Sequence, residues 1–98
     1  MSSDLGKSAP TILIIDDEPV NVRLLEAILK AEGYATICAY NGPTGRELAL
    51  DRQPDLILLD VMMAGESGFE TCGKLKQDSR TADIPVIFVS ALDDVNSK

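Results

Sequence analysis

The stretch ILIIDD at residues 12–17 and the stretch DLILLD at residues 55–60 decide how this chain folds. Each stretch joins a run of aliphatic residues to carboxylates. A short apolar run of this kind is typical of a parallel strand that is buried on both faces. The carboxyl ends of neighbouring parallel strands meet at one edge of the sheet. The side chains of Asp16, Asp17 and Asp60 are therefore expected to lie close together.

This group of carboxylates is the main indication of function. Like charges at close range repel one another and resist burial, so such a group usually holds a metal ion or performs chemistry. The alternative for Asp60 is a purely structural role, in which an acid at the end of a strand caps the next turn. The presence of Asp16 and Asp17 on a neighbouring strand favours the functional interpretation.

Composition limits the class of protein. With 98 residues, of which 45% are hydrophobic and 4% aromatic, the chain is expected to form one domain with an aliphatic core. The net charge of −7 argues against binding to nucleic acid or to an anionic membrane, because both need clustered Lys or Arg. Cys38 and Cys72 lack metal-binding spacing and the chain has no His, so no zinc site is expected and both thiols are predicted to be reduced core residues.

The location of the protein follows from two absences in the sequence. No apolar run approaches the roughly 20 residues of a membrane span. The N-terminal segment lacks the hydrophobic stretch of a signal peptide. We therefore expect a cytoplasmic protein with a flexible N-terminal tail at residues 1–10 and a fold that occupies residues 11–98.

Strand and helix patterns alternate from Thr11 onward. The predicted elements, with approximate bounds, are strand 11–16, helix 19–32, strand 34–40, helix 44–52, strand 55–60, helix 67–77 and strand 85–90. Pro19 suits the first turn of a helix, Gly33 suits a helix end, and Ser67 with Glu70 has the spacing of a capping box. This order predicts an α/β fold in which helices cover both faces of a parallel sheet.

Helical spacing also predicts which side chains face the core. The first helix is expected to contribute Val20, Leu24, Leu25, Ile28 and Leu29. The third helix is expected to contribute Phe69, Cys72 and Leu75.

Four segments together resemble the receiver domain of two-component response regulators. They are ILIIDDEP at 12–19, PDLILLDVMM at 54–63, GESGFE at 65–70 and IPVIFVSA at 84–91. The resemblance implies a flavodoxin-like (CheY-like) doubly wound parallel sheet with strand order 2-1-3-4-5. This chain has Ala64 where the family usually has Pro, which is expected to make the following loop less rigid without preventing phosphorylation.

The resemblance implies a role for each acid. Asp60 would accept a phosphoryl group from a histidine kinase, a phosphotransfer protein or a small phosphodonor. Asp17, Asp60 and the backbone carbonyl of Met62 would bind Mg²⁺, and Asp16 would act through a bound water. General chemistry agrees, because a carboxylate attacks phosphorus only if a cation offsets the repulsion between two anions, and Mg²⁺ prefers oxygen ligands.

Two further positions are implied to contact the phosphoryl group. They are the hydroxyl of Ser90 and the backbone of Ala91. The alternative for Ser90 is a hydroxyl at a strand end that hydrogen-bonds its own backbone.

The resemblance also predicts that residues 11–98 form a partial receiver domain. The seven elements from strand 11–16 to strand 85–90 would be present, and the fourth helix, fifth strand and fifth helix of the family would be absent. The Lys that pairs with the phosphoryl group in the family then has no counterpart in this chain. The phosphorylated state is expected to be less stable as a result, and the exposed fourth strand is expected to favour self-association.

Two other classes of function remain open. One is an interaction module that never takes phosphate. The other is a fragment of a Mg²⁺-dependent phosphohydrolase, although such enzymes of the haloacid dehalogenase family carry Asp-x-Asp on the first strand, unlike the adjacent Asp16 and Asp17. Under the leading interpretation the domain is not an enzyme, and its only turnover is slow self-dephosphorylation.

Overall fold

A computed structural model describes residues 9–89 and contains four strands and three helices. The strands are β1 (Thr11–Ile15), β2 (Ala35–Ala39), β3 (Leu56–Asp60) and β4 (Val86–Val89). The helices are α1 (Pro19–Ala31), α2 (Gly42–Arg52) and α3 (Gly68–Gln77). The strands form one parallel sheet in the order β2-β1-β3-β4, which confirms the predicted α/β fold over these residues. Most of the predicted tail, residues 1–8, lies outside the described range.

The register of the two central strands sets the position of the acids. Ile15 at the end of β1 pairs with Leu59 of β3. The next residues along the chain, Asp16 and Asp60, therefore lie side by side at the carboxyl edge of the sheet. Asp60 also pairs with Val89 of β4, so this edge continues into the fourth strand.

The main core lies between the sheet and the two helices α2 and α3. It is aliphatic, as the composition predicts, and its buried members are Leu13, Ile15, Ala39, Ala49, Ile57, Leu59, Leu75 and Ile84. On the opposite face of β1, Ile12 and Ile14 are buried on the side that α1 covers. Burial of β1 on both faces explains why its sequence is continuously apolar rather than alternating.

The prediction for the core face of α1 was wrong in part. Val20, Leu24 and Ile28 are between 44% and 57% exposed, whereas Val22 is fully buried. Leu25 and Leu29, which follow Val22 by about one and two helical turns, are half-buried as predicted. The helix therefore faces the sheet with the stripe of Val22, Leu25 and Leu29, which lies beside the exposed stripe of Val20, Leu24 and Ile28. Apolar residues occupy both stripes, so spacing alone could not separate them.

The prediction for α3 was correct for Leu75, which is buried, and for the half-buried Cys72, but wrong for Phe69. Phe69 is 63% exposed, and its ring lies 5.1 Å from the ring of Phe88 on β4, centroid to centroid. Thr71 is the fully buried residue in the first turns of this helix. Phe69 thus packs beside the sheet against another aromatic ring instead of beneath the helix.

The helix ends follow the predicted capping chemistry. Ser67 Oγ accepts a hydrogen bond from the Glu70 N–H at 3.1 Å, and the Ser67 N–H donates to Glu70 Oε1 at 2.8 Å, which confirms the capping box. Helix α2 begins two residues earlier than predicted, because Asn41 Oδ1 accepts from the Thr44 N–H at 2.8 Å and makes Asn41 the N-cap.

Cys38 and Cys72 are half-buried and form no disulfide with each other, and their redox state stays a prediction. Among the residues 9–89 that are described, no helix combines the length and the apolar character needed to cross a membrane.

The close approach of α3 to β3 gives a paired test of the fold. A Cβ at Gly68 would overlap the backbone carbonyl oxygen of Asp60, whereas a Cβ at Gly73 of the same helix would meet nothing within 4 Å. We expect Gly68→Ala to lower the free energy of unfolding by about 1–3 kcal/mol. Gly73→Ala should raise it by about 0.5–1 kcal/mol, because Ala is the better helix former. Urea unfolding followed by circular dichroism measures the free energy of unfolding of both variants. The same change in stability for Gly68→Ala and Gly73→Ala would contradict the close approach of α3 to β3.

Candidate functional site

The structure brings the three predicted acids together at the carboxyl ends of β1 and β3. One carboxylate oxygen from each of Asp16, Asp17 and Asp60 lies within 4.8 Å of the other two. Asp16 and Asp60 are only 3% and 6% exposed, whereas Asp17 is exposed. Two buried acids therefore form the floor of the cluster, and the third carboxylate faces solvent.

Asp16 is held by the turn between β1 and α1. Its backbone N–H donates to the carbonyl oxygen of Ala39 at 3.1 Å, which continues the pairing with β2. Its carboxylate accepts hydrogen bonds from the Glu18 N–H at 2.9 Å and from Asn21 Nδ2 at 3.4 Å. These contacts fix the orientation of the Asp16 carboxylate, and its role through a bound water stays a prediction.

Asp60 carries the electrostatic strain of the cluster. Burial raises the pKa of Asp60 to about 6, and the negative charges of Asp16 and Asp17 act in the same direction, while a hydrogen bond from the Met62 N–H opposes them. An ionised carboxylate in such surroundings gains from a nearby cation. The donor set consists of oxygen atoms from three carboxylates, which fits Mg²⁺ better than a softer metal.

The loop that joins β3 to α3, residues 61–67, folds over the acids. The Ala64 N–H donates a hydrogen bond to Asp17 Oδ2 at 3.0 Å. Gly65 follows in the left-handed region with a φ of 78°, and the Gly68 N–H closes the loop on the Val61 carbonyl oxygen at 2.9 Å. Proline at position 64 would lack the N–H, so this contact depends on the residue in which the chain departs from the family pattern.

A second cluster surrounds Glu66 at the far end of the same loop. Its carboxylate accepts from Arg46 Nε and Nη2 at 3.0 Å each, from Thr71 Oγ1 at 2.7 Å and from Lys74 Nζ at 3.1 Å. The Glu66 side chain is 10% exposed. The Arg46 hydrogen bonds are the largest cause that lowers the pKa of Glu66 to about 2; burial opposes them, and the Thr71 and Lys74 hydrogen bonds add to them.

No pattern in the sequence indicated the Glu66 cluster. Arg46 lies 20 residues away on α2, whereas Glu66 belongs to the loop before α3, so no local spacing joins them. The departure at Ala64 was visible, but its hydrogen bond to Asp17 could not be read from the sequence.

The described structure does not test the roles of the remaining predicted site residues. Ser90 and Ala91 lie outside the described residues. The Met62 backbone acts on Asp60 by lowering its pKa, and the role of the Met62 carbonyl as a metal ligand stays a prediction.

Sequence comparison identifies related proteins. A family model described as "Response regulator receiver domain" matches residues 12–98. "Response regulator PleD" of Caulobacter vibrioides is 54% identical over 82 residues, which cover 84% of this chain and 18% of PleD. The chain thus spans less than a fifth of the length of this relative.

Comparison of structures gives the same result. The N-terminal domain of a response regulator receiver protein from Methanoculleus marisnigri has a TM-score of 0.80 and 36% identity, over 89% of this chain and 74% of that chain. Response regulator TrrA from Thermotoga maritima, solved in complex with Mg(2+)-BeF, has a TM-score of 0.78 and 32% identity, over 91% of this chain and 76% of that chain.

Repulsion within the acidic cluster predicts that one substitution increases stability. At neutral pH and without divalent cations, Asp60→Asn should raise the free energy of unfolding by about 1–3 kcal/mol, because it removes one buried like charge. Mg²⁺ should stabilise the wild type and so reduce the difference in the free energy of unfolding between the wild type and Asp60→Asn. Asp83→Asn changes the net charge equally at an exposed position and should have little effect. Chemical denaturation measures all three proteins, and an unchanged or lower stability of Asp60→Asn would contradict the repulsion.

The Glu66 cluster predicts a contribution to stability that acid removes. Because the folded-state pKa is lowered from 4.5 to about 2, this contribution is complete above pH 4.5 and declines as the pH falls toward 2. We expect Glu66→Gln to be less stable than the wild type by about 1–2 kcal/mol at neutral pH, a modest value because Arg46 and Lys74 are partly exposed. Urea unfolding at several pH values tests this, and a difference that stays constant down to pH 2 would count against it.

Proposed function

Because this chain belongs to the response regulator receiver domain family, we propose that Asp60 is its phosphoacceptor. Receiver domains are signalling domains, and those of response regulators interact with histidine kinases or phosphotransfer proteins. The observation that carries the proposal is the buried carboxylate of Asp60 at the end of β3, grouped with the carboxylates of Asp16 and Asp17. The phosphodonor for this chain would be a histidine kinase, a phosphotransfer protein or a small acyl phosphate.

In the proposed step, an oxygen of the Asp60 carboxylate attacks the phosphorus atom of the donor. A bond between this oxygen and phosphorus forms, and the bond between phosphorus and the donor breaks, with the electron pair leaving on the donor. Attack requires the ionised carboxylate, and a pKa of about 6 for Asp60 leaves the group largely ionised at neutral pH.

We propose Mg²⁺ as the cofactor. Asp17, Asp60 and the backbone carbonyl of Met62 would hold the ion, and Asp16 would bind it through a water. Bound Mg²⁺ would offset the repulsion between the carboxylate and the phosphoryl oxygens. The oxygen-only donor set supports this choice, as does the Mg(2+)-BeF complex of the Thermotoga maritima regulator.

The other residues keep their proposed roles. Ser90 and the backbone of Ala91 would contact the phosphoryl group. The division into a tail at residues 1–10 and a partial receiver domain at 11–98, the cytoplasmic location and self-association through the fourth strand stay predictions. We propose no enzymatic activity beyond slow self-dephosphorylation.

Phosphorylation by a small donor tests the proposal. The chain is incubated with acetyl phosphate with and without Mg²⁺, and intact mass and peptide mapping report the label. We expect one phosphoryl group on Asp60, at a rate that falls by about tenfold or more without Mg²⁺. Asp60→Asn should take no label, and the matched surface variant Asp83→Asn should be labelled like the wild type.

The other classes of function give different results in the same experiment. Absence of label from a folded, Mg²⁺-loaded chain would indicate the interaction module. Continuous release of inorganic phosphate without accumulated label would indicate a phosphohydrolase.

A further inference from the structure

We propose that Glu66 is a positioning residue for the cation-binding acids. By anchoring the far end of the loop at residues 61–67, it keeps the Ala64 N–H on the carboxylate of Asp17. This inference rests on the proposed function of the acidic cluster, and it assigns to Glu66 a part in holding Mg²⁺ without direct contact with the ion.

The first step of the argument is the way in which Glu66 is held. Arg46 belongs to α2, whereas Thr71 and Lys74 belong to α3, so the carboxylate joins the loop to two helices at once. Arg46 binds both carboxylate oxygens, a geometry that fixes direction as well as distance.

The packing around this carboxylate is also tight. Helix α2 begins against it, since a Cβ at Gly42 would overlap Glu66 and the hydroxyl of Thr71. Glu66 therefore has little freedom to move while the two helices keep their positions.

The second step is the contact at the near end of the loop. Asp17 is exposed, so water competes for its carboxylate and the side chain is not confined by packing. The Ala64 N–H holds Oδ2 of this carboxylate at 3.0 Å. A hydrogen bond to a metal-binding carboxylate orients the ligand before the metal arrives, and loss of such a contact typically costs about 10–100-fold in metal affinity.

The third step joins the two ends. Ala64 and Glu66 are separated only by Gly65, whose left-handed conformation turns the chain sharply between them. Gly65 carries no side chain that packs, and a Cβ at this position would meet nothing within 4 Å. Residues 64–66 are held by the hydrogen bond from Ala64 to Asp17 and by the Glu66 cluster. The flanks of the loop are held separately, by the packing of Met63 against the core, the capping box of Ser67 and the hydrogen bond from the Gly68 N–H to the Val61 carbonyl oxygen. Release of Glu66 would remove the side-chain anchor nearest to Ala64 on the C-terminal side and would give the Ala64 N–H more freedom to leave the carboxylate of Asp17.

The test compares Glu66→Gln with Glu66→Asp and with a control on the other side of the sheet. Glu26→Gln is the control, because Glu26 also accepts hydrogen bonds from side chains, those of Thr36 and Cys38, but lies on α1 away from the loop. The 98-residue chain is titrated with Mg²⁺ by calorimetry at a temperature where all variants are folded. Amide hydrogen exchange of Ala64 is measured without Mg²⁺.

We expect Glu66→Gln to raise the dissociation constant for Mg²⁺ by about threefold to tenfold, below the effect of losing a direct partner of the ligand. Exchange of the Ala64 amide should be about tenfold faster or more. Glu66→Asp keeps the charge and should lie between Glu66→Gln and the wild type in Mg²⁺ affinity and in Ala64 exchange. Glu26→Gln should stay within about twofold of the wild type in both quantities. A loss of stability in Glu66→Gln with unchanged Mg²⁺ affinity and unchanged Ala64 exchange would overturn the inference.

A double-mutant cycle tests whether Glu66 acts through Ala64. Ala64→Pro removes the N–H and leaves the Glu66 cluster in place. If the inference holds, Glu66→Gln has no further effect on Mg²⁺ affinity in the Ala64→Pro background, whereas additive effects of the two substitutions would refute it. A wild-type chain that binds no Mg²⁺ and takes no label would overturn the proposed function, while the exchange of the Ala64 amide would still report separately whether Glu66 positions the loop.

Discussion

The parallel pairing of β1 with β3 is the constraint on which the rest of the structure depends. Because Ile15 lies beside Leu59, the residues that follow the two strands are forced to be neighbours at the sheet edge. Those residues are carboxylates, and the aliphatic strands beneath them exclude water from Asp16 and Asp60. The same register that completes the core therefore produces a local electrostatic repulsion, which a bound cation relieves. The packing of the core and the grouping of the acids at its edge both arise from one pairing.

The sequence predicted those parts of the fold that depend on local pattern. The continuous apolar runs identified β1 and β3, and the acids that end them identified the site, because strand direction alone brings these acids together. The capping box at Ser67 was also correct, since its hydrogen bonds join residues three positions apart. In each case, the chemical character of residues near one another in the sequence was enough to make the prediction.

The parts that the sequence did not predict depend on contacts between distant elements. On α1, two apolar stripes compete for the sheet, and only packing selects the one that contains Val22 over the one that contains Val20. Phe69 lies outside the core because Phe88, on a strand that follows later in the chain, offers a ring to pack against. Glu66 was missed because its partners come from two different helices, and the spacing of residues along the chain does not indicate contacts between separate helices.

The Glu66 cluster has a consequence for the helices as well as for the site. Coupling between two parts of a protein is reciprocal, so a cluster that favours the binding-competent loop is itself favoured when the loop is occupied. Binding at the acidic edge would then restrict the relative movement of α2 and α3, although neither helix contributes a ligand. The surface that these two helices share would then respond to binding at a site that it does not touch.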